Sequence, residues 1–258
     1  MLDLTATIVT HNSDFVLLER TVFSFQKNSL KSELIICDNN SAPEYRTKLS
    51  SLNADKIIDL PNKGFGYGHN RASEHSSESK YHLILNPDVE IPEGNLERMV
   101  DFLDQNQDIG LLCPKILNTD GSIQMLNKRQ PSVFNLFARR FIPASIQNWS
   151  PLRKKMDYYI MLDKGYNSNY EVPYLSGCFM LFKKKLYEEL NGFDERFFMY
   201  LEDADITKRA GKNHKCIFYS ETSIIHHWNR GSHKSLKLTW ISVVSSFKYF
   251  RKWGLKIF

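Results

Sequence analysis

The sequence predicts an α/β protein built on a largely parallel sheet. Two observations carry that prediction. Through the first 115 residues, short apolar runs alternate with stretches of helical periodicity, the pattern of βαβ units. Each apolar run also ends in a cluster of polar residues or glycine, as strands do where an open sheet binds its ligand. The 258 residues, 42% hydrophobic and 24% charged with 12 Gly and 9 Pro, supply enough material for one sizeable core or two small ones.

In chain order, Thr5-Ala6-Thr7-Ile8-Val9-Thr10 reads as a first buried strand, followed by a helix from about Asp14 to Gln26. Leu34-Ile35-Ile36-Cys37 is a second strand, stopped by Asp38-Asn39-Asn40-Ser41, whose side chains favour turns and helix caps. Lys56 to Leu60 is a third, and Pro61 to Gly68 then reads as a glycine-rich bend before a helix near Asn70 to His75. His82-Leu83-Ile84-Leu85 is a fourth strand, ending at Asn86-Pro87-Asp88. A helix from Glu93 to Gln105 and a strand at Gly110 to Cys113 complete the alternating half. Lys128 to Asn169 has weak periodicity and reads as a long irregular excursion. Regular structure resumes at Tyr174 to Phe182, with helices expected at Lys184 to Leu190 and Glu202 to Gly211.

Several function classes drop out at this stage. No stretch reaches the roughly 18 to 20 uninterrupted apolar residues of a membrane-spanning helix. Met1-Leu2-Asp3-Leu4 also lacks the basic-then-apolar layout of a signal peptide, so a cytoplasmic protein is expected. Cys37, Cys113, Cys178 and Cys216 form no C-x-x-C pair and read as reduced, mostly buried thiols. There is no G-x-G-x-x-G directly after the first strand and no G-x-x-x-x-G-K-[ST] loop, which argues against dinucleotide oxidoreductases and P-loop enzymes. The net charge of +5 belongs to the tail: after Glu221 there is no acidic residue, while Arg230, Lys234, Lys237, Lys248, Arg251, Lys252 and Lys256 are positive.

Several residues invite a chemical reading beside a structural one. Asp38, at a strand tip, can accept a hydrogen bond from a pyrimidine N–H or a ribose hydroxyl, or cap the next helix. Asp88 can hold a hard cation such as Mg²⁺ or Mn²⁺, or close a turn. Glu202-Asp203-Ala204-Asp205 opens a helix, where acidic residues suit the macrodipole. The aromatic segment Phe197-Phe198-Met199-Tyr200 just before it is also an environment that raises a carboxylate's pKa for base catalysis. His226 and His227, at a strand end, offer an imidazole to a cation or a hydrogen bond to the fold. Lys115 and Arg129 flank the Asp120-Gly121 turn, either offsetting donor phosphate charge or solvated at the surface.

An ordered series of motifs carries a family resemblance. Ile8-Val9-Thr10-His11-Asn12, Asp38-Asn39-Asn40-Ser41, Asn62-Lys63-Gly64-Phe65-Gly66, Leu85-Asn86-Pro87-Asp88, Asp120-Gly121-Ser122-Ile123-Gln124, Gly192-Phe193-Asp194-Glu195 through Tyr200-Leu201-Glu202-Asp203, and His226-His227 resemble the family 2 glycosyltransferases. The pattern looks nearest to the bacterial rhamnosyltransferase-like branch. The resemblance implies a GT-A fold over residues 1–235, with a nucleotide-sugar-binding half (1–115) and an acceptor-binding and catalytic half (116–235). Thr10, Asn12 and Asp38 would contact the nucleoside, while Asn62, Gly64, Phe65, Asn70 and Asn86 would shape the donor pocket. Asp88 matches the last acidic position of a D-x-D motif written here as Asn86-Pro87-Asp88. It would hold Mn²⁺ or Mg²⁺, with His226 or the adjacent His227 completing the site. Asp203 falls on the general-base position and Glu202 on its acidic neighbour, which implies a single inverting displacement.

By the same resemblance the donor would be a nucleoside-diphosphate sugar, dTDP-rhamnose first and a UDP-sugar second. The acceptor would be a glycan or lipid-linked glycan. Residues 236–258 interleave aromatic and basic side chains, which suits either peripheral contact with an anionic membrane or packing on the catalytic domain. Two other function classes stand beside the enzyme. One is a nucleic-acid-binding module, disfavoured because the basic charge is confined to the tail and no nucleic-acid motif is present. The other is a catalytically degenerate sugar-nucleotide-binding protein, disfavoured because Asp88, Glu202 and Asp203 are all present.

Overall fold

The computed structural model describes residues 1–141, 150–227 and 236–257. Among the described residues, nine strands form one mixed sheet: β1 (Leu2–Thr10), β2 (Ser32–Asp38), β3 (Lys56–Asp59), β4 (Ser79–Leu85), β5 (Val89–Glu90), β6 (Ile109–Leu117), β7 (Tyr170–Glu171), β8 (Phe179–Lys183) and β9 (Lys215–His226). Their order is β3-β2-β1-β4-β8-β6-β9-β5, with β7 on β9. β1 pairs in parallel with β2 and β4, as do β2 with β3 and β6 with β9. β8 runs antiparallel between β4 and β6, which leaves those two parallel to one another. β5 and β7 are antiparallel to β9. The expected α/β architecture with a mostly parallel sheet is therefore present.

Local sequence explains most elements. β1 is buried without a break from Leu4 to Thr10, because helices cover both faces of a parallel strand. In α1 (Phe15–Gln26), Asp14 caps the N-terminus by accepting from Val16 and Leu17 N–H at 3.0 and 3.3 Å, and Leu18, Val22 and Phe25 are buried. α2 spans Pro43–Leu49 and α3 Phe65–Glu74. α4 (Asn95–Gln105) buries Leu96, Met99, Val100 and Leu103, the spacing of one helical face. These side chains and those of β1, β4, β6 and β8 form one continuous core. All four cysteines are free and buried, Cys113, Cys178 and Cys216 in this core and Cys37 in a smaller cluster with Val9, Ile35 and Ala72.

Two expectations are corrected. The glycine-rich bend is shorter than read, because α3 starts at Phe65 and takes Gly66 and Gly68 into the helix. A Cβ on Gly66 would lie 2.6 Å from the Phe193 Cβ, and one on Gly68 would lie 2.8 Å from the Val9 methyls. These glycines serve close helix packing rather than a turn. The excursion is not irregular throughout: it contains α5 (Val133–Phe141), α6 (Ser150–Tyr159) and a short 3₁₀ turn at Leu162–Lys164. α5 is held from a distance, with Leu136 packed on the cluster of Tyr174, Phe197, Leu201, Ala204 and Tyr249 and with Val133 N–H donating to the Lys256 carbonyl. Such support leaves no local signal. Residues 142–149 of the excursion, Arg230 and Lys234 of the basic tail, and Phe258 lie outside the described residues.

After β8 come α7 (Lys184–Glu189), α8 (Glu202–Ala210) and, beyond β9, α9 (Leu236–Trp253). α9 packs through one face on residues of the second half of the chain. Ser245 Oγ donates to the Met199 carbonyl, Tyr249 OH to Gln130 Oε1, and Trp253 Nε1 to Asp205 Oδ1. Its opposite face leaves Leu236, Trp240, Val243 and Phe247 exposed. Among the described residues no helix is long and apolar enough to cross a membrane.

Candidate active site

The carboxyl ends of β1, β2 and β4 lie side by side where strand order reverses around β1, the crevice in which open sheets bind ligands. At the tip of β1, Thr10 Oγ1 is 2.6 Å from Tyr45 OH on α2, and the Tyr45 ring meets Phe15 edge-on. Asn12 has φ of +49° and ties this tip to α2, donating its N–H to Ser41 Oγ while its side-chain oxygen accepts from Ala42 N–H. The Asp38 carboxylate is fully buried and accepts from Ser41 N–H, with the Arg46 guanidinium 3.8 Å away. It therefore holds the turn after β2. The cap of α2 is Ala42, which makes no side-chain cap bond.

Asn62, Gly64, Phe65 and Asn70 surround the entry to α3. Asn62 is half-buried in the preceding loop. Gly64 has φ of +116°, and a Cβ there would lie 2.3 Å from the Phe198 carbonyl oxygen, so only glycine fits. Phe65 N–H donates to that same carbonyl, which clips α3 to the segment leading into α8. Phe65 also meets His69 and Phe193 edge-on. Asn70 acts as a bracket: its amide donates to the Phe193 carbonyl and to Glu195, and its oxygen accepts from Tyr187 OH and Phe193 N–H. Its hydrogen-bonding capacity is turned toward the 193–195 loop.

After β4, Asn86 N–H donates to the Cys178 carbonyl at 2.9 Å, and Asp88 follows at the edge where β5 meets β9. Asp88 Oδ1 is buried with no hydrogen-bond donor and lies 3.4 Å from His226 Nε2. The neighbouring His227 turns away and places its Nε2 2.6 Å from Glu90 Oε1. His226 is thus the histidine that faces Asp88. The donor set of one carboxylate and one imidazole suits Mn²⁺ or Mg²⁺. The orphaned buried Oδ1 opposite a ring nitrogen is the kind of gap that a cation fills. Among the described residues no cluster of three or more His, Cys, Asp or Glu is present.

The segment 176–178 stands between the two carboxylate sites. Cys178 carbonyl accepts from Asn86 N–H on one side, and Gly177 N–H donates to Asp203 Oδ2 at 3.1 Å on the other. Asp203 Oδ1 accepts from Ala204 N–H at 2.9 Å. A Cβ on Gly177 would come within 3.2 Å of the Asp203 Cβ, so the glycine admits this close approach. Burial pushes the Cys178 thiol up to about 12, leaving a neutral group between the carboxylates.

Glu202 and Asp203 open α8 after two residues held at positive φ, Tyr200 at +74° and Leu201 at +67°. Non-glycine residues seldom adopt that region, and two in succession turn the chain so that the helix starts on its acidic pair. Glu202 is buried and its Oε2 has no hydrogen-bond partner. Burial, and then the charge of Asp203, push its carboxyl up to about 8, against the pull of the Tyr200 and Glu202 N–H groups. Near neutral pH the Glu202 carboxyl therefore retains its proton.

Two residues here escaped the sequence reading. Gln124 is buried against His226, within 2.9 Å of its Nδ1. Lys128 is buried with its ammonium 4.2 Å from the Tyr174 ring centre, and its charge acts on both Cys113 and Cys178. The sequence signal for Gln124 was its place at the end of the Asp120-to-Gln124 motif, to which no role was given, and for Lys128 its place beside Arg129. Of those candidates, Arg129 makes a double hydrogen bond to Asp163 and stacks on Tyr158, so it braces the excursion. Lys115 is half-buried on β6.

The comparisons agree with this geometry. The family described as Glycosyl transferase family 2 matches residues 5–190. The chain is 28% identical over 146 residues to the N-acetylglucosaminyl-diphospho-decaprenol L-rhamnosyltransferase of Mycobacterium tuberculosis, covering 56% of this chain and 46% of that one. It therefore spans about half the length of that relative. It is 25% identical over 201 residues to rhamnosyltransferase WbbL of Escherichia coli, covering 73% and 71% of the two chains. Among solved structures, mannosyltransferase PcManGT of Pyrobaculum calidifontis, in complex with GDP-Man and Mn²⁺, superposes with a TM-score of 0.57 at 15% identity. That superposition covers 96% of this chain and 64% of the other, a likeness of fold that places the chain among GT-A structures. The family match takes in the crevice at β1, β2 and β4 and runs on through β8, and the chain belongs to glycosyl transferase family 2.

Proposed function

We propose that this chain transfers a sugar, rhamnose first among the candidates, from a nucleoside-diphosphate donor to a hydroxyl of a growing surface glycan. The observation that carries the reading is the pairing of two carboxylate sites across one short segment: Asp88 with His226, and Asp203 on the far side of Gly177–Cys178. The names of the mycobacterial and Escherichia coli relatives support rhamnose, and that of the mycobacterial relative supports a lipid-linked acceptor. The Mn²⁺ named with the mannosyltransferase structure supports a divalent cation.

In this reading Thr10, Asn12 and Asp38 border the nucleoside, with dTDP preferred over UDP. Asn62, Gly64, Phe65, Asn70 and Asn86 shape the pocket around the diphosphate and sugar. Asp203 takes the proton of the acceptor hydroxyl, whose oxygen bonds to the anomeric carbon as the bond to the diphosphate oxygen breaks, inverting that centre. Glu202, held toward its neutral form by burial, keeps its own proton and adds no second carboxylate charge beside the base. Asp88 and His226 would hold a divalent cation, which when bound supplies Lewis-acid stabilisation to the leaving diphosphate.

The outer face of α9 supports a place at the membrane surface. Leu236, Trp240, Val243 and Phe247 recur at intervals of three and four residues and are exposed, with Lys237 and Arg251 exposed on the same helix. An apolar stripe edged by basic residues suits an anionic bilayer, where a lipid-linked acceptor would lie. Flotation with phosphatidylglycerol vesicles is expected for the wild type and lost in a Trp240→Ser, Phe247→Ser double variant. Equal flotation of both would remove α9 from membrane contact.

The deciding experiment is calorimetric binding of a panel of nucleotide sugars, with and without Mn²⁺, to the wild type and to Asp88→Ala. Metal-assisted binding of one pyrimidine-diphosphate sugar, weakened in Asp88→Ala, is expected. A folded protein that binds none of them would retain the fold assignment and lose the proposed activity.

A further inference from the structure

We infer that Gln124 is a positioning residue for the proposed cation site, setting the tautomer of His226 so that the ring presents a lone pair rather than a proton toward Asp88. The inference rests on the reading of Asp88 and His226 as the cation's ligands.

The Asp120-Gly121 turn delivers Gln124 to its place. Gly121 adopts φ of +81°, Ser122 N–H and Oγ–H both donate to Asp120 Oδ1, and the returning chain bridges Ile123 to Leu117. Gln124 N–H then donates to the Ile116 carbonyl, and the side chain enters the buried layer beneath the end of β9. Its amide nitrogen faces two carbonyl oxygens, His226 at 2.7 Å and Leu117 at 3.4 Å. Carbonyl oxygens only accept, so the amide has one orientation, and its oxygen is the atom 2.9 Å from His226 Nδ1. An amide oxygen also only accepts, so Nδ1 carries the hydrogen and Nε2 of the neutral ring is bare.

That bare nitrogen lies 3.4 Å from Asp88 Oδ1, which has no donor of its own. Were the hydrogen on Nε2, the carboxylate would accept it and the two groups would close on each other. With the hydrogen on Nδ1, two lone pairs face one another across a buried gap. Gln124 thus keeps the site open and able to bind a cation.

Long-range ¹H–¹⁵N correlation spectra of the metal-free protein, with His226 assigned by a His226→Gln variant, read the tautomer directly. The wild type is expected to show hydrogen on Nδ1, and Mn²⁺ is expected to broaden the His226 ring signals. Gln124→Leu should shift the ring toward the Nε2–H form and weaken Mn²⁺ binding by about 10- to 100-fold. Gln124→Glu keeps the oxygen that accepts from Nδ1–H and loses the amide donor to the His226 and Leu117 carbonyls, so it should keep the Nδ1–H tautomer at a cost in stability. An Nε2–H ring in a wild type that binds Mn²⁺, or a Gln124→Leu protein with unchanged tautomer and affinity, would overturn the role of Gln124 alone. A wild type with the expected tautomer but no broadening by Mn²⁺ would overturn the cation reading and this inference with it.

Discussion

Two buried acidic residues on the same helix, Glu202 and Asp205, live under opposite conditions. Asp205 is fully buried yet surrounded by donors: Arg209 Nε at 2.8 Å, Trp253 Nε1 at 2.8 Å and Lys252 Nζ at 2.7 Å. Lys252 also reaches Asp194, whose carboxyl is held well below the usual range by Arg196 and Lys252 against the upward push of burial. Glu202 is buried with an unpartnered oxygen, and its carboxyl is pushed up to about 8. Burial of a carboxylate is therefore no guide to its role. The paired one is a fastening that joins α8 to α9, whereas the unpaired one is held toward its neutral form by burial and by the Asp203 charge.

Asp203→Asn tests that contrast with the largest effect. It retains the side-chain shape but cannot take a proton, so turnover should fall by about 10²- to 10⁴-fold with donor affinity little changed. A variant with near-normal turnover would break the division between fastening and chemistry. Next, Asp205→Asn leaves Arg209 and Lys252 short of a buried countercharge. It should cost about 3–5 kcal/mol of stability in urea unfolding, and loss of activity without loss of stability would place Asp205 in the site instead.

Glu202→Gln sharpens the comparison through pH. A carboxyl raised from 4.5 to about 8 keeps its proton in the folded chain where the unfolded chain releases it. Its stability contribution is thus complete below pH 4.5 and is lost as pH rises toward 8. The wild-type melting temperature should carry that decline, at most about 1.4 kcal/mol per pH unit, and the Gln variant should lack it. The smallest expected effect is that of Trp253→Phe, which removes one donor from Asp205 while two cations remain. About 1 kcal/mol is expected in the same unfolding assay.

Much of the frame was legible because it is written locally. Continuous apolar runs mark β1, β2 and β4, Asp14 caps α1, and polar clusters mark the strand ends that form the crevice. Asp88, His226, Glu202 and Asp203 were legible as chemical types in ordered motifs, and the adjacent histidines needed coordinates to be told apart. Other features depend on distant parts of the chain. Gly66 and Gly68 look like helix breakers until Phe193 and Val9 are seen against them. α5 is supported by α9, more than a hundred residues later in the chain, and Asp205 by Lys252 and Trp253. Gln124 is an ordinary polar residue until β9 returns beside it.

The position of β8 has a consequence for the birth of the protein. β4 and β6 are made early, but the strand that lies between them, Phe179–Lys183, comes from much later in the chain. A chain emerging from the ribosome must hold two incomplete strand edges until that segment arrives, so closure of the sheet follows synthesis of β8. The Gly177–Cys178 bridge immediately precedes β8 and joins the two carboxylate sites only then. The two carboxylate sites are thereby joined only after Phe179–Lys183 has been made.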